Sequence, residues 1–339
     1  MQQIIGLDVH KSFIYACVME EDGKIVFERK FNNNPDAFDK FLLNVSKEDK
    51  IVLESCSYWQ YVYDYLEDAG YNNLTLANPV QVRLIATSRK KTDWHDAKIL
   101  ADLLRTNMLP TSYAPPRCVR EQRQITRHKA SLTTLRSEVI NKIHAILFRH
   151  GMINANAISS QKGISWLYSL DLPYPDRYEL DNYIKMVEHI TKLIKDTKER
   201  IDETADTDPR ARLLTTMYGI DNYSALTIVG EIGDIRRFSS SEKLISYAGL
   251  NPSVHQSGNT LRTGHISKQG NKNLRWILVQ CSHVAVQGDT TLGRFYNRIK
   301  KRRGHNIAIV ATARKMLKYA YAMLINNIPY HALQVHKAT

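Results

Sequence analysis

Residues 3–31 read QIIGLDVHKSFIYACVMEEDGKIVFERKF. Gln3 to His10, Phe13 to Glu20 and Lys24 to Phe31 are short runs rich in β-branched and aromatic residues, and Glu21, Asp22 and Gly23 supply a hairpin turn between the second and third. This pattern predicts an antiparallel meander whose first strand carries an acid, Asp8, among apolar neighbours. Outward from it, Asn34-Pro35 opens a helix to about Val45, Lys50 to Glu54 reads as a buried strand, and Tyr58 to Ala69 carries a helical apolar pattern that stops at Gly70. Leu74 to Ala77 is another strand, broken by Asn78-Pro79. Helices then follow from Pro79 to about Ala86 and, beyond the basic stretch SRKK, from Asp93 to about Arg105. The order βββαβαβαα predicts an α/β domain, a mixed sheet covered by helices.

The chain has 339 residues, 43% hydrophobic and 24% charged, with 15 Gly and 10 Pro. That length predicts two or three domains with a sizeable core, and the composition excludes collagen-like and disordered classes. No apolar stretch is long enough to span a bilayer, and Asp8 interrupts the amino-terminal apolar run too early for a signal peptide. A soluble protein of the cytoplasm, associated with the nucleoid and not with a membrane, is expected. Cys17, Cys56, Cys118 and Cys281 form no CxxC pair, so buried free thiols are expected, with neither disulfides nor a thiolate zinc site. The net charge of +13 is unevenly spread. Residues 1–100 hold 12 Lys and Arg against 15 Asp and Glu, whereas the remainder holds 35 against 19. A polyanion gripped by the later segments, with carboxylate chemistry in the first domain, is the reading this split favours.

Pro110, Pro115 and Pro116 mark a linker, after which Val119 to Arg149 is a long helical stretch rich in Arg, Lys and His. A second, Tyr183 to about Thr204, places Ile184, Val187, Ile190, Ile194 and Ile201 at helical spacings, so the two are expected to pair as an antiparallel coiled coil or to form a seam between protomers. From Arg210, LLTTMYGIDNYSALTIVGEIGDI gives two helical patterns around a turn at Gly219, resembling a helix-hairpin-helix unit whose amides hold a phosphate. A loop-dense basic stretch, residues 249–280, and a final helix from about Ile307 to Asn326 complete the chain. The expected domains are thus 1–109 (mixed sheet), 110–208 (helical linker) and 209–339 (mainly α). Arg120, Arg123, Arg127, Lys129 and Arg136 on the long helix, with Lys300, Lys301, Arg302 and Arg303, are the expected phosphate contacts.

Four carboxylates carry the chemistry. Asp8 lies in the first strand and Glu54 ends a central one, while Asp93 and Asp96 sit three apart on one face of a helix. The first strand and the strand of Glu54 can be neighbours in this sheet, which would gather hard oxygen donors at one end, a set that selects Mg²⁺ or Mn²⁺. Two such ions can clamp the attacking and leaving oxygens of a phosphodiester.

The runs IGLDVHK, VLES and KTDWHDAKILADLL resemble the DEDD signature of the RuvC-like, ribonuclease-H-fold domain of transposases in insertion-sequence family one hundred and ten. YAGLNPSVHQSGNTLRTGHISKQGNKNLRWIL is similar to that family's carboxy-terminal transposase domain. The resemblance implies a DNA transposase or recombinase, guided by a structured non-coding RNA, that exchanges strands through a serine. It implies Asp8, Glu54, Asp93 and Asp96 as the acidic set. The serine of the Ser-Gly pair, Ser257, is its nucleophile, with Ser253 and Ser267 nearby. Beside it, His255, Arg262, Lys268, Lys272 and Arg275 can neutralise developing phosphate charge, and Gly258 lets a phosphate approach the backbone. A dimer or tetramer is expected, since several strands must be cut.

Three other classes compete. An actin-like ATPase shares the opening hairpin, but Asp8 is followed by Val9-His10-Lys11 and no Gly-rich nucleotide loop appears. A RuvC or ribonuclease-H-like metal-dependent nuclease, or a Holliday-junction resolvase, would use the four acids with water and have no need of Ser257. A non-catalytic nucleic-acid-binding protein would keep the basic helices and dispense with the acids.

Overall fold

The structure, a computed structural model, describes residues 2–85, 93–153, 158–257, 260–287 and 291–331, with the backbone alone at 93, 254–257 and 260–263. It divides into two compact units, Met1–Ala114 and Pro115–Thr339.

In the first unit the opening meander forms as β1 (Ile4–Val9), β2 (Phe13–Met19) and β3 (Ile25–Asn32), followed by α1 (Pro35–Leu42), β4 (Lys50–Glu54), α2 (Trp59–Asp68), β5 (Leu74–Ala77), α3 (Pro79–Ile85) and α4 (Asp93–Arg105). The order read from the sequence is the order found. One further strand, β6 (Thr111–Ser112), lies between the prolines taken as a linker and pairs antiparallel with β5. Two residues are too few for any periodicity to reveal. The sheet runs β3-β2-β1-β4-β5-β6, with β1, β4 and β5 parallel and the rest antiparallel. Strand alternation sends Ile5, Leu7, Ile51 and Leu53 to one face, where Phe38 and Phe41 of α1 and Val62 and Leu66 of α2 cover them. Ile4, Cys17 and Met19 go to the other, against Ala97 and Ala101 of α4. Asn34 caps α1 by accepting from the Ala37 amide, and Pro35 fills its first turn, where a missing N–H costs nothing.

The second unit is helical: α5 (Arg117–Arg149), α6 (Gln161–Tyr168), α7 (Asp176–Thr207), α8 (Pro209–Thr215), α9 (Asn222–Ile232) and α10 (Ser241–Tyr247) precede the ribbon β7 (Pro252–Ser257) and β8 (Thr260–Ile266), and α11 (Lys272–Ala285), α12 (Thr291–Arg303) and α13 (His305–Asn326) follow. The long helices α5 and α7 pair antiparallel. Arg149 at the end of α5 meets Asp176 and Glu179 at the start of α7 (2.8 and 3.1 Å), and Gln122 near the start of α5 donates to Asp208 just past α7 (2.9 Å). The isoleucine stripe serves this packing, with Ile184, Val187 and Ile190 against Val139, Ile143 and Ile146. A second core surrounds α9, in which every residue from Tyr223 to Ile232 is buried.

One expectation changes here. The stretch 249–280 is not loop-dense: it holds an antiparallel ribbon and most of α11, whose Gly and Ser residues mask a strand pattern. The turn at Gly219 (φ +92°) packs against α11, where a Cβ would lie 2.8 Å from the Cys281 carbonyl, and Asp221 caps α9 by accepting from the Ser224 amide.

Candidate active site

Asp8 and Glu54 stand at the carboxyl ends of adjacent parallel strands, with Leu7 paired to Leu53 in the register just before them. Residues two apart on a strand share a face, so Asp8 shares that of Ile4 and Gly6, and Glu54 that of Val52. Both are faces under α4. Val52 packs with Leu100, and Gly6 lies so close beneath the helix that a Cβ would sit 2.0 Å from the Ala97 carbonyl. Gly6 faces both Ala97 and Ala101 of α4, so that helix covers the face of β1 that Asp8 shares, and Asp96, half-buried, directly precedes Ala97. The Asp93 side chain lies outside the described residues. Among the described residues no three acids, histidines or cysteines form a ready metal-binding group. The donor chemistry of Asp8 and Glu54 suits a hard cation, since both are carboxylates.

His10 is a participant the sequence left unassigned. Its Nε2 is 3.0 Å from Asp8 Oδ2, its ring lies 4.5 Å from that of Phe13, and its carbonyl accepts from Asn33 Nδ2. The Asp8 carboxylate, 14% exposed, is thereby held from one side. The i,i+2 spacing on a strand was the available signal.

Ser257 is the last residue of β7, its backbone in register with Thr260, and His255 is in register with Arg262. The side chains of Ser257, His255 and Arg262, and residues Gly258 and Asn259, lie outside the described residues. Lys268 and Lys272 are exposed beyond the ribbon, and Arg275 donates to the Ala248 carbonyl at 2.9 Å.

Arg120, Arg123 and Arg127 of α5 make hydrogen bonds within the protein, although the Arg127 side chain stays half exposed. Arg120 is buried and donates to the Pro115 carbonyl at 2.6 Å, and Arg123 donates to the carbonyls of Gly230 and Glu231. Arg127 holds the Glu231 carboxylate through two parallel bonds of 2.7 and 2.8 Å. Lys129 places Nζ 3.6 Å above the Tyr223 ring, and burial lowers its pKa. Arg136 is half-buried. Arg120, Arg123 and Arg127 fall within about 60° of one another around the helix, and Arg123 and Arg127 meet α9. Lys300, Lys301, Arg302 and Arg303 differ: all are exposed in the last turn of α12, where cations also complement the helix dipole.

Glu231, which nothing in the sequence marked, is fully buried. Oε1 accepts from Arg127 Nε and Asn273 Nδ2 (2.7 and 3.1 Å), and Oε2 from Arg127 Nη2 and Asn271 Nδ2 (2.8 and 2.7 Å). Burial alone would raise its pKa, but the bonds from Arg127 and Asn271 prevail and hold it below the usual 4.5. The thiols are free: burial pushes Cys17 and Cys281 up to about 11, Cys56 is half-buried, and Cys118 is exposed, against the expectation that all would be buried.

A mixed sheet of this topology with acids at the carboxyl ends of its parallel strands, followed by a helical unit, is the layout of a RuvC-like DEDD transposase. Residues 5–151 match the DEDD transposase family profile, and residues 211–297 match the profile described as transposase IS116/IS110/IS902 family. The chain belongs to the IS110 family of insertion-sequence transposases, enzymes that act on DNA. It is 25% identical over 334 residues to the transposase for insertion sequence element IS1328 of Yersinia enterocolitica, covering 94% of this chain and 96% of that one. It is also 25% identical over 349 residues to the transposase for insertion sequence element IS1111A of Coxiella burnetii, covering 97% and 91%. The pilin gene-inverting protein of Moraxella bovis is 25% identical over 340 residues, covering 96% and 97%. No helix among the described residues is long and apolar enough to cross a membrane.

Proposed function

We propose that this transposase cuts and rejoins DNA through Ser257, with Mg²⁺ or Mn²⁺ held by Asp8, Glu54, Asp93 and Asp96, under the guidance of a structured RNA and as a dimer or tetramer. The observation that carries the reading is the position of Asp8 and Glu54 at the carboxyl ends of neighbouring parallel strands, on the faces that α4 covers. A divalent ion bound by these oxygens supplies Lewis-acid polarisation of a phosphate. His10 keeps the Asp8 carboxylate oriented toward that role.

The Ser257 hydroxyl attacks phosphorus, its proton passes to a base, and the displaced sugar oxygen leaves as a hydroxyl once protonated. One phosphodiester is exchanged for another, so religation needs no nucleotide triphosphate. A relative named for gene inversion favours such rejoining over hydrolysis, because an inverted segment must be resealed. The basic composition of the second unit and the family resemblance support a nucleic-acid guide. The acids and the serine belong to separate units of the chain, so each can be tested alone. Asp8→Asn is expected to abolish recombination while nucleic-acid binding persists, and Ser257→Ala to bind normally yet yield no covalent protein–DNA adduct on denaturing gels. Recombination by the Ser257→Ala protein would return the chemistry to water attack at the acids.

A further inference from the structure

Both ends of the β7–β8 ribbon are tied to one small platform. Before β7, Gly249 (φ +67°) packs so tightly that a Cβ would lie 2.7 Å from the Gln269 carbonyl. After β8, the Ser267 amide donates to the Asn251 carbonyl (2.8 Å), and the Asn271 amide donates to the Tyr247 carbonyl (2.7 Å). A Cβ at Gly270 would lie 2.3 Å from that same Tyr247 carbonyl. Asn271 is the hub of this platform. Its Oδ1 caps α11 by accepting from the amides of Asn273 and Leu274, while its Nδ2 donates to Glu231 Oε2 and to the Tyr247 hydroxyl. Tyr247 in turn donates to the Glu231 carbonyl. Glu231 completes the connection to α5 through Arg127.

The carboxylate of Glu231 thus accepts four hydrogen bonds, two at each oxygen, beside the apolar core that surrounds α9. Apolar side chains could fill such a space at least as stably. What a saturated buried charge adds is a single permitted arrangement, since any shift of its partners leaves a charge or donor unsatisfied.

We propose that Glu231 is a positioning residue for strand exchange: through Asn271 and Asn273 it fixes the base of the β7–β8 ribbon, and through Arg127 it locks that base to α5, setting where the end of β7 stands. The proposal rests on the reading that Ser257 reacts. Glu231 itself does not touch DNA.

The test uses the full-length protein with Asn271→Ser and Asn271→Asp. Serine and aspartate both cap helices well, so a role confined to capping α11 predicts near-normal behaviour for both. The latch predicts otherwise. Serine loses the donor to Glu231, and aspartate sets a second carboxylate against it, so aspartate is the worse of the two. Hydrogen exchange of the amides from Ser267 to Asn271 should quicken at least tenfold in Asn271→Ser and further in Asn271→Asp, with α13 unchanged. Recombination of a plasmid bearing the element's own ends should fall at least tenfold, while affinity for a short DNA duplex at fixed salt stays within twofold. Normal recombination despite quickened exchange, unchanged exchange, or exchange quickened throughout the second unit would each overturn the proposal, the last by showing a general stabiliser. Exchange at these amides does not depend on Ser257. Full activity of Ser257→Ala therefore marks failure of the serine reading, distinct from failure of the latch.

Discussion

Gly6→Ala adds one methyl group at the point where α4 rests on β1. The new Cβ would stand 2.0 Å from the Ala97 carbonyl oxygen and 2.9 Å from the Ala101 amide nitrogen, both backbone atoms of α4 that no side-chain rotation can clear. Ordinary contact begins near 3.4 Å, so helix or strand must withdraw by about 1.4 Å. Overpacking of this kind costs about 1–3 kcal/mol, and rigid backbone on both sides puts it at the upper end. In a domain of this size that is a fall of about 4 °C in Tm for each kcal/mol. The functional loss should be larger than the stability loss suggests. In the proposed acidic set α4 carries Asp96, and a misplacement of about 1 Å at a reacting centre costs about 100-fold in rate. Recombination on a plasmid substrate, with thermal melting of the same preparation, measures both. Gly70→Ala is the control: at φ +87° it strains the backbone by about 1 kcal/mol, yet a Cβ there meets nothing within 4 Å, so α4 stays in place. Gly6→Ala protein that recombines within twofold of wild type would refute the reasoning, as would equal losses for the two variants.

Neutralising Lys301 and Arg302 together to Gln should reduce the salt dependence of DNA binding by about 1.8 in log–log slope, about 0.9 for each lost contact, whereas Arg123→Gln should leave the slope unchanged because Arg123 is engaged with the carbonyls of Gly230 and Glu231. Titration with a thiol reagent at mildly alkaline pH should label exposed Cys118 first, with Cys17 and Cys281 reacting only on denaturation, since burial holds both near 11. Glu231→Gln should destabilise the protein by about 2 kcal/mol at neutral pH, because its amide NH2 would face donors whose bonds the buried Glu231 oxygens now accept. Because the folded carboxyl titrates below its unfolded value of 4.5, its contribution is complete above that pH and is lost as pH falls through the folded value, so wild type and variant should converge in acid denaturation followed by circular dichroism.

Much of the first unit was legible because strands and helices announce themselves by period. The alternation in Ile4 to Met19, the turn at Asp22-Gly23 and the apolar run before Glu54 required this meander and this central strand. Once β1 and β4 are parallel neighbours, Asp8 and Glu54 fall together by register alone. The ribbon escaped notice because Gly and Ser dilute the alternation in residues 252–266, and β6 because two residues have no period.

The sequence by itself determined the order of elements from β1 to α4 and the family. Only the tertiary structure decided which charges are available to a ligand. Arg120 and Arg123 look as solvated in the sequence as Arg302 and Arg303, and Glu231 looks like a surface glutamate closing an apolar helix. Helical period fixes which residues share a face but carries no information on what that face meets, and whether a charge is buried depends on a partner about 100 residues away in the chain, as Arg127 and Glu231 are.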